Sequence, residues 1–163
     1  LDTYFSFTDK RVFTSDSIEN IYQNVSQLKQ FPDSVYKCLQ EMAFQNGGHF
    51  FGKNYSIMHP SNGLTYLMVV QEGNVEVYLS MYIIDQHNVM RNEYVQLAGG
   101  GGDEGDYWGS FGHFVNDSTY HITSKACAYE SICDSTVAIY HILSNGKILV
   151  DENETRKYRL PYR

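Results

Sequence analysis

The chain has 163 residues and a formal net charge of −7 at pH 7, with 42% hydrophobic and 15% aromatic residues. That length suits one domain with a single core, and the aromatic content excludes a disordered chain. A pI near 5.2 excludes non-specific binding to a nucleic-acid backbone, which needs clustered lysine and arginine.

Fourteen tyrosines stand against one tryptophan. A flat apolar ring with a polar tip suits half-buried sheet positions, so this excess points to strands. The longest apolar runs, Leu67 to Val70 and Met81 to Ile84, are far shorter than the ~20 residues of a membrane-spanning helix. The chain begins at Leu1, so an upstream segment is expected, with a signal peptide or a lipid tether as its natural form.

In chain order, the first ten residues alternate Tyr4, Ser6 and Thr8 against Phe5 and Phe7, which fits an added edge strand. From Ser17 to Gln30 the residues Ile18, Ile21, Tyr22, Val25 and Leu28 recur at three- and four-residue steps and predict a first helix. Asp16 followed by Glu19 resembles a capping box at its start. Phe31-Pro32-Asp33 ends that helix, because proline lacks the amide donor and holds Phe31 extended. A second helix is predicted on the stripe Val35, Leu39, Met42 and Ala43, capped by Asp33 or Ser34 and stopped by Gly47-Gly48.

After Gly48 the side-chain period changes to two. Strands are predicted at 49–58, 64–71, 75–84, 91–98, 107–115, 119–129, 136–143 and 147–151. Pro60-Ser61-Asn62-Gly63, Glu72-Gly73-Asn74 and Ser144-Asn145-Gly146 supply turn chemistry between them, which predicts antiparallel neighbours in a meander. Val75, Val77, Leu79, Met81 and Ile83 share the face that must meet a core, and Glu76, Tyr78, Ser80 and Tyr82 share the other. The glycines from Gly99 to Gly102, followed by Asp103, Glu104, Gly105 and Asp106, read as a mobile hairpin tip. The expected architecture is α+β in a single domain over 1–163. A helix pair at about 16–47 packs on a curved, mainly antiparallel meander of about 6–8 strands at about 48–163.

Cys127 and Cys133 are spaced to face each other across a hairpin, either as a disulfide or as two buried thiols. Cys38 falls on the second helical stripe and is expected to be a free thiol. With no paired Cys-x-x-Cys and no His-Glu-x-x-His, no metal site is expected. The acids beside Gly99–Gly102 lack the spacing of a calcium loop. The glycines themselves neither open a helix nor precede a lysine, as a phosphate-cradling loop would require. No cofactor is implied. His141 is in phase with Val137, Ile139 and Leu143 and reads as a core histidine.

The densest aromatic patch is Tyr107-Trp108-Gly109-Ser110-Phe111-Gly112-His113-Phe114, and Tyr107, Trp108, Phe111 and His113 are its candidate ligand contacts. In strand phase Trp108 and Phe114 point one way, and Tyr107, Phe111 and His113 the other. His113 or His121 with Glu130 is the candidate acid–base set should the domain be catalytic. The basic run Arg156, Lys157, Arg159 and Arg163 reads as a charged last strand or a solvated tail.

Asp16-Ser17-Ile18, Asp33-Ser34-Val35, Asp117-Ser118-Thr119 and Asp134-Ser135-Thr136 resemble the acceptor motif of general protein O-glycosylation in secreted bacterial proteins. Asp-Ser is also common at helix starts and turns, where these four mostly sit. Asn24, Asn54, Asn116 and Asn153 satisfy the Asn-x-Ser/Thr acceptor pattern of eukaryotic secretion. Both patterns point outside the cytoplasm, to periplasm, cell surface or secretion.

The functional expectation is a non-catalytic extracytoplasmic binding domain for a protein, glycan or small apolar ligand, without nucleic acid. The alternative is a hydrolase or isomerase working by His/Glu acid–base chemistry in a cone-like α+β pocket.

Overall fold

A computed structural model describes residues 8–45, 52–73, 75–103, 106–128 and 132–159. The class is α+β and mostly sheet. Among the described residues two helices, α1 (Ser15–Asn24) and α2 (Asp33–Gln45), accompany nine strands. These are β1 (Val12–Phe13), β2 (Gly52–Met58), β3 (Thr65–Glu72), β4 (Glu76–Ile84), β5 (Met90–Asp103), β6 (Asp106–Asn116), β7 (Thr119–Ala128), β8 (Ile132–Ile142) and β9 (Ile148–Arg159). From β2 to β9 the strands lie side by side in chain order, each pair antiparallel, and β1 pairs with β6. The asparagine–glycine turns behave as their chemistry requires, with Gly63 at φ 77° and Gly146 at φ 79°.

The cap of α1 lies two residues earlier than Asp16. Thr14 is the cap: its hydroxyl accepts from the Ser17 amide at 3.3 Å, and the Ser17 hydroxyl accepts from the Thr14 amide at 3.2 Å. The helix is also shorter than its stripe suggests. It ends at Asn24, and a 3-10 turn carries the chain through Gln27. Pro32 then opens α2, its carbonyl accepting from the amides of Val35 and Tyr36. The Gly47-Gly48 stop lies outside the described residues, as do positions 1–7 of the first expected strand. Thr8, just after those positions, donates its amide to the Ile57 carbonyl at 2.9 Å.

The helices do not form a pair on one face. Tyr66, Met68 and Val70 of β3 share a core with Ile18 and Ile21 of α1, with Val25, and with Phe13 of β1. Leu67 and Val69, the alternate residues of β3, pack with Phe31 and Leu39 of the α2 region. Thus β3 and β4 are covered on both faces, which is why their sequences read as near-continuous apolar runs. Of the face expected to meet a core, Val77, Leu79, Met81 and Ile83 do so, whereas Val75, at the strand's start, is exposed. Tyr82, from the face opposite, joins the second core.

The stretch Gly99–Gly102 is not a hairpin tip. It lies in the second half of β5, with Gly99–Gly101 paired to Tyr78–Glu76 on one side and Gly99–Gly102 to Ser110–Tyr107 on the other. At Gly99 and Gly101 side chains are missing because neighbours need the space. A Cβ on Gly101 would run into the Val75 carbonyl, and one on Gly99 would lie 2.9 Å from Cη2 of Trp108. Past this ladder β5 and β6 diverge, and β1 takes the place of β5 beside Gly112 and His113. The sheet folds over so that Phe114, Tyr120, Ile122, Ala138 and Ile142 enter the same core as the inner face of β3 to β5. The Tyr120 hydroxyl closes this seam by donating to the Leu97 carbonyl, and its buried ring pushes its own pKa up.

The other end of the fold is closed by Asp117 in the β6–β7 turn. One carboxylate oxygen accepts the Ser61 amide at 2.6 Å and also the Ser61 hydroxyl, while the other pairs with Arg11 at 2.6 Å. The Asp117 carbonyl accepts from the Tyr66 hydroxyl at 2.6 Å and from the Asn62 side-chain Nδ2 at 3.1 Å. The Ser61 donors, then Arg11, hold the Asp117 carboxyl down at about 2. Burial pushes Tyr66 up to about 12.

Candidate functional site

The glycine ladder of β5 forms the floor of a groove. One turn of α1 supplies one wall through Ile18, Glu19 and Tyr22, Tyr22 neighbouring Ile18 at i+4 and Glu19 at i+3. Val75, Glu76 and Val77, at the start of β4, supply the other wall. The space between is about 520 Å³. Ile18 and Val77 are buried at its base, and Tyr22 and Val75 stand 59% and 53% exposed at its lip. Tyr22 therefore leaves the buried stripe of its helix, on which the sequence spacing had placed it.

Not every glycine here is demanded by packing. A Cβ on Gly100 would find its nearest neighbours at 3.5 Å, the Trp108 carbonyl oxygen, and at 4.0 Å, a methyl of Ile18. Both are ordinary contacts, so the bare backbone at Gly100 leaves room that the fold itself does not use. Trp108 reaches over Gly99 and stacks on Tyr78 with ring centroids 5.0 Å apart. The Tyr78 hydroxyl, desolvated and close to Glu76, is held in its neutral form well above its ordinary range.

A second hollow, about 460 Å³, adjoins the first through Val75 and Gly102. Tyr107, Trp108, Asp103, Asp106 and Asp134 line it together with Cys127. Cys127 and Cys133 face each other across β7 and β8 and form a disulfide, with their Cα atoms 4.0 Å apart. Cys38 is a free thiol, half-buried against the α2-side core.

The four candidate ligand contacts divide between two places. Tyr107 and Trp108 reach the second hollow, whereas Phe111 and His113 lie farther along β6 on its exposed face. There Lys125 sits over the Phe111 ring at 5.9 Å, and His113 meets its direct cross-strand partner His121 edge to face at 5.4 Å. Glu130, the proposed acid partner of these histidines, lies outside the described residues. Among the described residues no three His, Cys, Asp or Glu side chains gather closely enough to hold a metal ion.

His141 is not a core residue. Its side chain is 42% exposed and reaches Asp151 at 3.3 Å. The stripe Val137, Ile139 and His141 looks outward, because Ala138 and Ile142, on the opposite face of β8, are the residues that enter the core. Of the expected basic run, Arg156, Lys157 and Arg159 lie within β9.

The serines of the O-glycosylation-like motifs occupy different surroundings. Ser17 is engaged in the α1 cap, where it also accepts from Lys10 at 3.0 Å, and Ser135 is paired within β8. Ser34 is exposed in the first turn of α2, and Ser118 sits in the β6–β7 turn.

Sequence reasoning placed its site on β6 and missed the groove, whose parts come from α1, β4 and β5. The available signal was the glycine run, since four glycines inside a strand mark close approach of backbone or ligand. The chain matches no protein-family model, no curated protein and no solved structure.

Proposed function

We propose that this is a non-catalytic binding domain, held in an oxidising extracytoplasmic compartment, that takes a small apolar ligand into the glycine-floored groove. The observation that carries the reading is the unfilled floor at Gly100, beneath a wall of Ile18, Val75 and Val77. A concave, mainly apolar cleft of several hundred Å³ with few polar groups is the usual form of a small-molecule site. Glu19 and Glu76 supply those polar groups, at one position on each wall. The compartment is supported by the Cys127–Cys133 bridge, because such bridges persist where thiols are not kept reduced.

The test uses Nile red, a neutral apolar fluorophore, with Gly100→Val as the blocking variant. Valine suits a strand, and at Gly100 its Cβ would stand at ordinary contact distance from the Trp108 carbonyl and Ile18, on the groove floor. Saturable binding by the wild type is expected, weakened at least about tenfold in Gly100→Val, a loss of roughly 1.4 kcal/mol. Unchanged circular dichroism would show that the fold is kept. Absence of saturable binding, or equal binding by the variant, overturns the proposal.

A further inference from the structure

Two histidines meet on the solvent side of the sheet. His113 of β6 and His121 of β7 are direct cross-strand partners, so their side chains leave the sheet on the same face. That face is the outer one, because Gly112, Phe114, Tyr120 and Ile122, their neighbours along the two strands, are buried. Val12 of β1 and Ile139 of β8 flank the pair in register. The ring centroids are 5.4 Å apart and the ring planes are inclined at 85°.

As neutral rings the two give the sheet a modest cross-strand aromatic contact. The same spacing suits metal chelation. A tetrahedral zinc ion holds imidazole nitrogens at about 2 Å, which sets the centroids of two chelating rings about 5 Å apart. The observed separation is close to that value, and converging the nitrogens takes only a turn about χ2, a torsion with a broad range in histidine. The backbone is already set for it. Pairing runs without a shift from Tyr107↔Cys127 to Phe114↔Tyr120, and β8 continues the ladder in register on the other side of β7. An arriving ion therefore meets a preorganised pair rather than two independent imidazoles.

We infer that His113 and His121 form a surface chelate for a divalent transition metal ion of the zinc class, with water in its other coordination positions. Two protein ligands are fewer than a closed structural site uses, so the ion is held in exchange with solvent. The charged groups on this face are Lys125, which sits over the Phe111 ring, and Asp151, which meets His141. Each is engaged away from the pair. The two imidazoles bind in their neutral form, so acidification sets protons in competition with the metal. The inference is independent of the groove, which lies on α1, β4 and β5.

Calorimetric titration of the whole chain with zinc chloride at neutral pH provides the test. A saturable site is expected in the wild type. His113→Gln and His121→Gln should each bind at least about tenfold more weakly, because a single imidazole loses the advantage of the second held beside it. His141→Gln should bind as the wild type does. All three replace side chains on the outer face, and unchanged circular dichroism would show that the fold is kept. Proton NMR gives a second readout: zinc should shift the ring signals of His113 and His121 and leave those of His141 in place. A wild type without saturable binding, His113→Gln or His121→Gln binding as tightly as the wild type, or an equal loss in His141→Gln would overturn the inference.

Discussion

Asp117→Asn isolates the contact that holds the two turns together. Asp117 bonds Ser61 twice and pairs with Arg11, and its side chain is 21% exposed. A carboxyl held at about 2 instead of 3.8 has its charged form favoured on folding. That difference corresponds to roughly 2 kcal/mol, which solvent screening reduces to about 1–1.5 kcal/mol. Because the folded pKa is the lower one, this stability is fully present above the unfolded value of 3.8 and is lost as pH falls through about 2. That shift already contains the Ser61 bonds, so the variant should lose about 1–1.5 kcal/mol at neutral pH, or roughly 2–6 °C in Tm for a domain of this size. Urea unfolding of both proteins from neutral pH down to below 2 reads the effect directly. The gap should be full at neutral pH and nearly closed at the acid end. A gap under about 0.5 kcal/mol at neutral pH, or one that does not change with acidification, would refute the account, since surface substitutions without a specific role fall within that range.

Two further predictions follow from the glycine ladder and the disulfide. Gly101→Ala should cost about 1–3 kcal/mol, because its Cβ meets the Val75 carbonyl, whereas Gly100→Ala should stay within about 0.5 kcal/mol. Equal effects in thermal melts would show that the ladder is packed differently. Cys127→Ser/Cys133→Ser opens a loop of only a few residues, so about 2 kcal/mol should be lost in the chain-entropy account. If the doubly substituted chain unfolds at the wild-type urea midpoint, the bridge constrains nothing in the unfolded state.

Much of the sheet is legible in the sequence because most strands alternate with a period of two and three of the connections carry Asn62-Gly63, Gly73-Asn74 or Asn145-Gly146. What misled lies where tertiary contacts override local rules. Gly99–Gly102 has the composition of a loop, yet it is a paired strand, because Trp108 and the Val75 carbonyl occupy the places its side chains would fill. His141 shares a phase with Val137 and Ile139, and phase alone cannot say which face of a strand is wet; the small Ala138 across from Ile122 marks the true inner face. The α1 cap is Thr14 rather than Asp16 because the Thr14 and Ser17 hydroxyls satisfy each other's amides, a pairing that Asp16 followed by Glu19 imitates in sequence. The groove was least legible of all. It needs α1 to lie over a particular part of β5, a long-range placement that periodicity does not encode.

Because α1 and α2 cover opposite faces of β3 and β4, those two strands have almost no side chain given to water. Nearly every position along them is held to a volume, so sequence change there must be matched by a neighbour. β6, β7 and β8 are different: each keeps one face in the core and leaves Phe111, Lys125 or Val137 on the far side with room to vary. The molecule thus has a conservative half and a permissive half within one continuous sheet. New surface chemistry can accumulate on the second half while the first preserves the shape that presents it.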